Sequence, residues 1–162
     1  MAKNKEIKTN AMRILDTQKI SYTTYFYECD EFHDGIQIAT MLQLPHEQMY
    51  KTLVAQGNSK NYFVFVIPIE AELDMKKAAK SVGEKSVALI PVKEINAVTG
   101  YIRGGCTAIG MKKQYTTRID NSANNLEKMI VSGGKLGVQL ALYPLDLAAV
   151  TKATFTDLIV YY

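Results

Sequence analysis

The strongest constraint on the fold is an almost unbroken apolar strand run, Asn61 to Pro68 (NYFVFVIP). It follows a second β-rich run, Tyr50 to Gln56 (YKTLVAQ), through Gly57, Asn58, Ser59 and Lys60. A short glycine-containing link between two such runs predicts a hairpin. A strand that is apolar on both faces belongs in the middle of a sheet, covered from both sides. The chain has 162 residues, 48% hydrophobic and 22% charged, a size and composition that support one packed core without disulfides or metals. One domain over residues 1–162 is therefore expected.

The flanking segments fill in the layers. Thr9 or Asn10 caps a first helix with Ile7, Ala11, Ile14 and Leu15 on one face. Residues 20–28 read as a strand. Asp34 caps a short helix carrying Ile36, Ala39 and Leu42, which ends before Pro45. Asp74 caps another, with Met75, Ala78, Ala79 and Val82 on its apolar side, Lys76, Lys77 and Lys80 on the other, and Gly83 as its stop. Strands are expected at 86–90, 115–120, 128–132 and 138–142, and a weak helix at 92–98. Pro144 and Asp146 open a last helix through about Val150. Strands and helices do not alternate strictly. The fold class is mixed α/β (α+β), with a mostly antiparallel sheet and flanking helices.

Composition removes several classes of function. No apolar run approaches the roughly 20 residues that span a bilayer, and the polar start MAKNKEIKTN carries no apolar signal-peptide core. A cytoplasmic location is expected, with Cys29 and Cys106 as free thiols. The net charge of +3 tolerates an anionic partner without demanding one. Neither a phosphate-loop pattern nor a G-x-G-x-x-G fingerprint occurs, because Gly134-Lys135 is followed by Leu136. The two histidines, His33 and His46, form no metal-ligand spacing, and no G-x-S-x-G elbow is present. His33 is read as an exposed loop residue. No metal or cofactor is expected.

Three features remain as candidates for chemistry. Lys51 shares a strand face with Leu53 and Ala55. It is either a snorkelling lysine with its ammonium in water or a fixed cation facing a cleft, able to stabilise an anion or a developing oxyanion. Seven of the 10 glycines crowd two segments, Gly100, Gly104, Gly105 and Gly110 in one and Gly133, Gly134 and Gly137 in the other. They serve either turns or the close approach of backbone amides to a ligand. Tyr27 ends an aromatic strand before Glu28-Cys29-Asp30, as a core edge or a pocket wall. Two groups of basic residues, Lys76, Lys77 and Lys80, and Lys112, Lys113 and Arg118, are either solvated faces or a phosphate-contacting surface.

Five motifs in order resemble the YbaK/EbsC-type family of prolyl-tRNA editing domains: Tyr27-Glu28-Cys29-Asp30, Met49-Tyr50-Lys51-Thr52-Leu53, Leu73 to Lys80, Thr99-Gly100-Tyr101-Ile102-Arg103-Gly104-Gly105, and Ser132-Gly133-Gly134-Lys135-Leu136-Gly137. The likeness runs from about Met12 to Phe155. It implies a mixed sheet with a cleft for the 3′ aminoacyl-adenosine of tRNA. The family's key lysine falls on Lys51, its pocket glycine on Gly104, its second pocket loop on Ser132, Gly133 and Gly134, and its pocket tyrosine on Tyr27. Thr99, Tyr101 and Gln139 belong to the same expected substrate-binding set, and the amides of Gly104 and Gly105 are the expected oxyanion donors.

The resemblance implies a deacylase acting in trans on mischarged tRNA, first of all Cys-tRNA(Pro), with prolyl-tRNA synthetase as a partner and neither DNA nor membrane. Cysteine-clearing members resemble substrate-assisted catalysts, in which the substrate thiol attacks its own ester and leaves as a thiolactone. Two departures bear on specificity. Cys106-Thr107-Ala108 stands where members often read x-S-P, and Gln139 replaces a common carboxylate with a neutral amide. Two alternatives therefore stand beside it. One is a deacylase for alanyl- or another small aminoacyl-tRNA that uses water. The other is a non-catalytic module that binds aminoacyl-tRNA or a synthetase.

Overall fold

A computed structural model describes residues 8–29 and 31–162; the expected contributions of Ile7 and Asp30 lie outside the described residues. Helix α1 (Asn10–Thr17) starts at Thr9, whose hydroxyl accepts from the Met12 amide. Strand β1 (Thr23–Phe26) is followed by α2 (Gly35–Leu42), then by the hairpin of β2 (Tyr50–Gly57) and β3 (Tyr62–Pro68). Next come α3 (Met75–Ser81), β4 (Val87–Leu89), α4 (Ile95–Thr99), β5 (Thr116–Asp120), β6 (Met129–Ser132), β7 (Val138–Leu142), α5 (Pro144–Thr151) and β8 (Thr154–Thr156). Short 3-10 turns precede β2 and α4 and follow β5.

The expected class holds, with the strands divided between two sheets. A five-stranded sheet runs β4-β2-β3-β5-β8, and a three-stranded antiparallel sheet runs β1-β7-β6. Within the larger sheet β2 is antiparallel to β3 and β4, whereas β3–β5 and β5–β8 are parallel. The apolar run occupies the centre, as its composition requires. Phe63 to Ile67 are all buried, between β2 on one edge and β5 on the other.

Strand alternation sends the two faces of the hairpin to different cores. Ala55, Phe63, Phe65 and Ile67 pack with Ala78 and Ala79 of α3. On the opposite face Tyr50 and Val66 join α1, α5 and the inner face of the smaller sheet, through Met12, Leu15, Val131, Leu140 and Leu147. The outer face of the smaller sheet carries Tyr25, Tyr27, Ile130 and Ala141 under Ile38 and Ala39 of α2. The two sheets touch at a parallel bridge between Met49 and Ile130, and the Tyr50 and Ser122 hydroxyls meet at 2.7 Å beside it. The hairpin therefore enters the larger sheet at the seam between the two.

One residue of each basic group is tied down, while Lys76, Lys80, Lys112 and Lys113 are exposed. Lys77 reaches Asp157 at 2.9 Å and the Ile159 carbonyl at 2.7 Å, which clips α3 to the C-terminal segment. Arg118 donates to the Ser81 and Thr117 carbonyls at 3.0 and 3.1 Å.

Phe65 has no exposed surface and sits at the centre of the hairpin face against α3. Phe65→Ala is expected to lower unfolding free energy by about 3–5 kcal/mol, read as a drop in the urea midpoint.

Candidate functional site

Where the two sheets meet they leave a cavity of about 340 Å³. Its lining draws on the start of α2, the first half of β2, the segment after β4, the first glycine-rich loop and the edge of the smaller sheet. Lys51 arrives there because its register partner is Ile67, so it leaves the same face as Leu53 and Ala55. By that residue the strand has run past the apolar cover, and the side chain meets the cavity instead of α3. Lys51 is half-buried and forms neither a hydrogen bond nor an ion pair among the described residues. Burial pushes its ammonium below the usual lysine range, and the negative charges of Asp34 and Glu72 pull it partly back. The side chain thus lies in the wall of a cleft, which is the placement the second of its two readings requires.

Four expected site residues line this one cavity: Lys51, Gly104, Ser132 and Gln139. Ser132 and Gln139 are cross-strand partners on β6 and β7, on the sheet face that also carries Tyr25. Gln139 is buried, and its side-chain amide donates to the Tyr27 hydroxyl at 3.4 Å. Tyr27 itself is not part of the cavity lining: it packs into the core under α2, as the core-edge alternative has it, and touches a lining residue through this bond. Desolvation raises its phenol above the usual range.

The glycine loops divide between contact and support. Gly104 has φ +87°, and an added Cβ would lie 2.6 Å from Leu136 and 3.0 Å from Phe32. Its amide has no acceptor among the described residues. Gly105 does not fit the oxyanion role: its N–H is already given to the Ile102 carbonyl at 3.0 Å. It serves packing instead, because a Cβ there would press on the Lys135 backbone at 3.1 Å. Gly133 donates to the Val138 carbonyl at 2.9 Å, and Gly134 to the Ser132 hydroxyl at 3.3 Å. Gly134 thereby orients a cavity side chain from behind the wall.

Thr99 and Tyr101 are likewise supports. Thr99 is buried; its hydroxyl donates to Ile95 and accepts from the Tyr101 amide at 2.8 and 3.0 Å. The Tyr101 phenol donates to the Ile109 carbonyl, and its ring lies against Gly134. Burial pushes that phenol up to about 12, so it stays a neutral donor. One tyrosine therefore pins both loops together.

Several lining residues were not anticipated. Phe32, His33 and Asp34 form the lip before α2, and His33 is part of that wall rather than a free loop residue. The Arg103 guanidinium stacks on the Phe32 ring at 3.9 Å. Cys106, a free thiol, also lines the cavity, and burial pushes it up to about 11. The one sequence signal for this lip was Asp34, legible only as a helix cap. No helix among the described residues is long and apolar enough to cross a membrane.

The chain as a whole has known relatives. Residues 31–150 match the aminoacyl-tRNA editing domain family, and the chain belongs to that family. It is 41% identical over 160 residues, 98% of both chains, to EbsC of Enterococcus faecalis (strain ATCC 700802 / V583), provisionally named a Cys-tRNA(Pro)/Cys-tRNA(Cys) deacylase. Among solved structures, a provisionally assigned trans-editing enzyme for prolyl-tRNA synthetase aligns with a TM-score of 0.79 at 20% identity, over 96% of this chain and 100% of that one. A crystallised hypothetical protein aligns with a TM-score of 0.82 at 19% identity, over 91% and 97%. The two structural likenesses bear on the fold.

Gly104→Ala is expected to cost about 1–2 kcal/mol for the left-handed backbone and to displace Phe32 and Leu136 from the lip. A variant that still folds by circular dichroism should lose at least about tenfold in aminoacyl-ester cleavage.

Proposed function

We propose that residues 1–162 act as one trans-acting deacylase that clears mischarged tRNA, with Cys-tRNA(Pro) as the principal substrate. The observation that carries the reading is the half-buried Lys51 ammonium, unpaired among the described residues, in one cavity with Gly104 and Ser132. A cation placed this way favours an ester carbonyl as its oxygen gains charge, or a neighbouring phosphate. The name of the Enterococcus relative supports the cysteine assignment.

The reaction needs orientation more than a protein nucleophile. The cysteinyl thiol gives up its proton, and its sulfur attacks the ester carbonyl carbon. The bond from that carbon to the ribose oxygen then breaks, and the ribose oxygen takes a proton. The products are a thiolactone and free tRNA, with no water consumed. Holding the two ends of one small acyl group in contact can supply roughly 7–11 kcal/mol of the barrier. The Gly104 amide is the donor for the oxyanion, and the Ser132 hydroxyl, set by the Gly134 amide, is a second polar group at the same wall. The Gln139 amide orients the acyl group and brings no charge of its own.

Prolyl-tRNA synthetase, which makes the mischarged substrate, is the proposed partner, supported by the description of one structural neighbour. The site of action is the cytoplasm, where translation occurs.

Lys51→Met is expected to remain folded, with thermal stability at or above wild type, because a desolvated cation is replaced by an apolar side chain of similar length. Its rate on Cys-tRNA(Pro) should fall by about 10²–10³. Products from wild-type protein on Cys-tRNA(Pro) and Ala-tRNA(Pro), separated by mass spectrometry, test the mechanism. Thiolactone from the first and little cleavage of the second is the expected result. Free alanine released faster than cysteine would shift the assignment to a water-using deacylase. No cleavage of either would leave a binding module.

A further inference from the structure

An aminoacyl ester carries a cation of its own, the α-ammonium, and the cavity already holds Lys51 and Arg103 in its lining. Among the described lining residues the single carboxylate is Asp34. We infer that Asp34 is the specificity residue that receives the substrate's α-ammonium, an assignment that rests on the editing reading above.

Three features of the fold point this way. Asp34 is held in place from both sides: its Oδ1 accepts from the Gln37 amide at 2.8 Å, and its own amide donates to the Gln37 side chain at 2.9 Å. That reciprocal pair fixes the carboxylate at the first turn of α2 and uses one of its two oxygens. Oδ2 has no partner among the described residues. Then Gly35, the next residue, lets the helix start lie close against the hairpin, since a Cβ there would meet Ile69 at 2.5 Å. The carboxylate is thereby kept at the lip of the cavity, near enough to Lys51 to act on its charge. Finally, the polar side chains that the smaller sheet contributes to the lining, Gln139 and Ser132, are neutral. An ammonium entering the cavity meets one carboxylate in its lining, Asp34, whereas Glu72, whose charge also reaches Lys51, lies outside that lining. A substrate bound so has its amine at the lip and its carbonyl turned toward Lys51 and Gly104.

The test compares Cys-tRNA(Pro) with 3-mercaptopropionyl-tRNA(Pro), which keeps the thiol and the ester, lacks the amine, and is smaller, so it fits wherever cysteine does. Wild-type protein is expected to prefer the cysteinyl substrate in kcat/KM by about fivefold, the scale of an ion pair open to water. Asp34→Asn retains an N-cap side chain, and Asp34→Ser is a second variant with the same capacity. In both, the preference should collapse toward one, through loss on the cysteinyl substrate alone. Equal losses on both substrates, or a preference unchanged by the substitutions, would overturn the role of Asp34. So would a wild-type protein that treats the two substrates alike. Failure of wild-type protein to cleave either substrate would instead sink the editing reading itself, which keeps the two conclusions separable.

Discussion

The site depends on the register of one strand pair. Phe63 to Ile67 are buried on both faces, so β2 must pair with β3 in the alignment that sets Phe65 opposite Leu53 and Ile67 opposite Lys51. A shift of one residue would send every side chain of β2 to the other face. It would push the Lys51 ammonium into the core that holds Tyr50 and Val66, and Tyr50 would lose Ser122. The apolar packing of five central residues thereby fixes the position of a cation that contributes nothing to that packing. The cost of desolvating Lys51 is borne by the hydrophobic contacts of its neighbours.

A second layer of the design is the use of glycine and tyrosine as scaffolding. Of the glycine positions treated as contact points, Gly104 meets the cavity. Gly105, Gly133 and Gly134 hold the loops that present it. Tyr101 performs a similar task from within, with its phenol on one loop and its ring against the other. Rigid support behind a small contact surface suits a reaction whose main requirement is that one acyl group be held bent.

Much of this was legible in the residues, and the gaps have identifiable causes. Alternation along β2 located Lys51 correctly, because a strand periodicity of two leaves no ambiguity about faces. The glycine crowding marked the two loops that contribute Gly104 and Ser132 to the cavity lining. It could not tell which amide was free, since Gly104 and Gly105 are adjacent and identical, and only the turn to Ile102 separates them. The division into two sheets was invisible because pairing of β1 with β7 joins residues distant in sequence. Strand β8 is three residues long, too short for a periodicity to show. Asp34 carried a helix-start signal, and nothing in that signal marked the same carboxylate as part of a cavity lining. His33 and Phe32 gave no pattern at all, as lip residues in a loop seldom do.

Cys106 has a consequence for fidelity within the cleft itself. A protein thiol beside an activated acyl ester is a potential competitor: as a thiolate it would capture the amino acid and leave the enzyme dead as a thioester. Burial pushes this group up to about 11, so it stays a neutral thiol at neutral pH. The burial that raises this thiol therefore also silences it as a nucleophile, and a thiol substrate of the proposed reaction would meet no rival thiolate in the cavity wall.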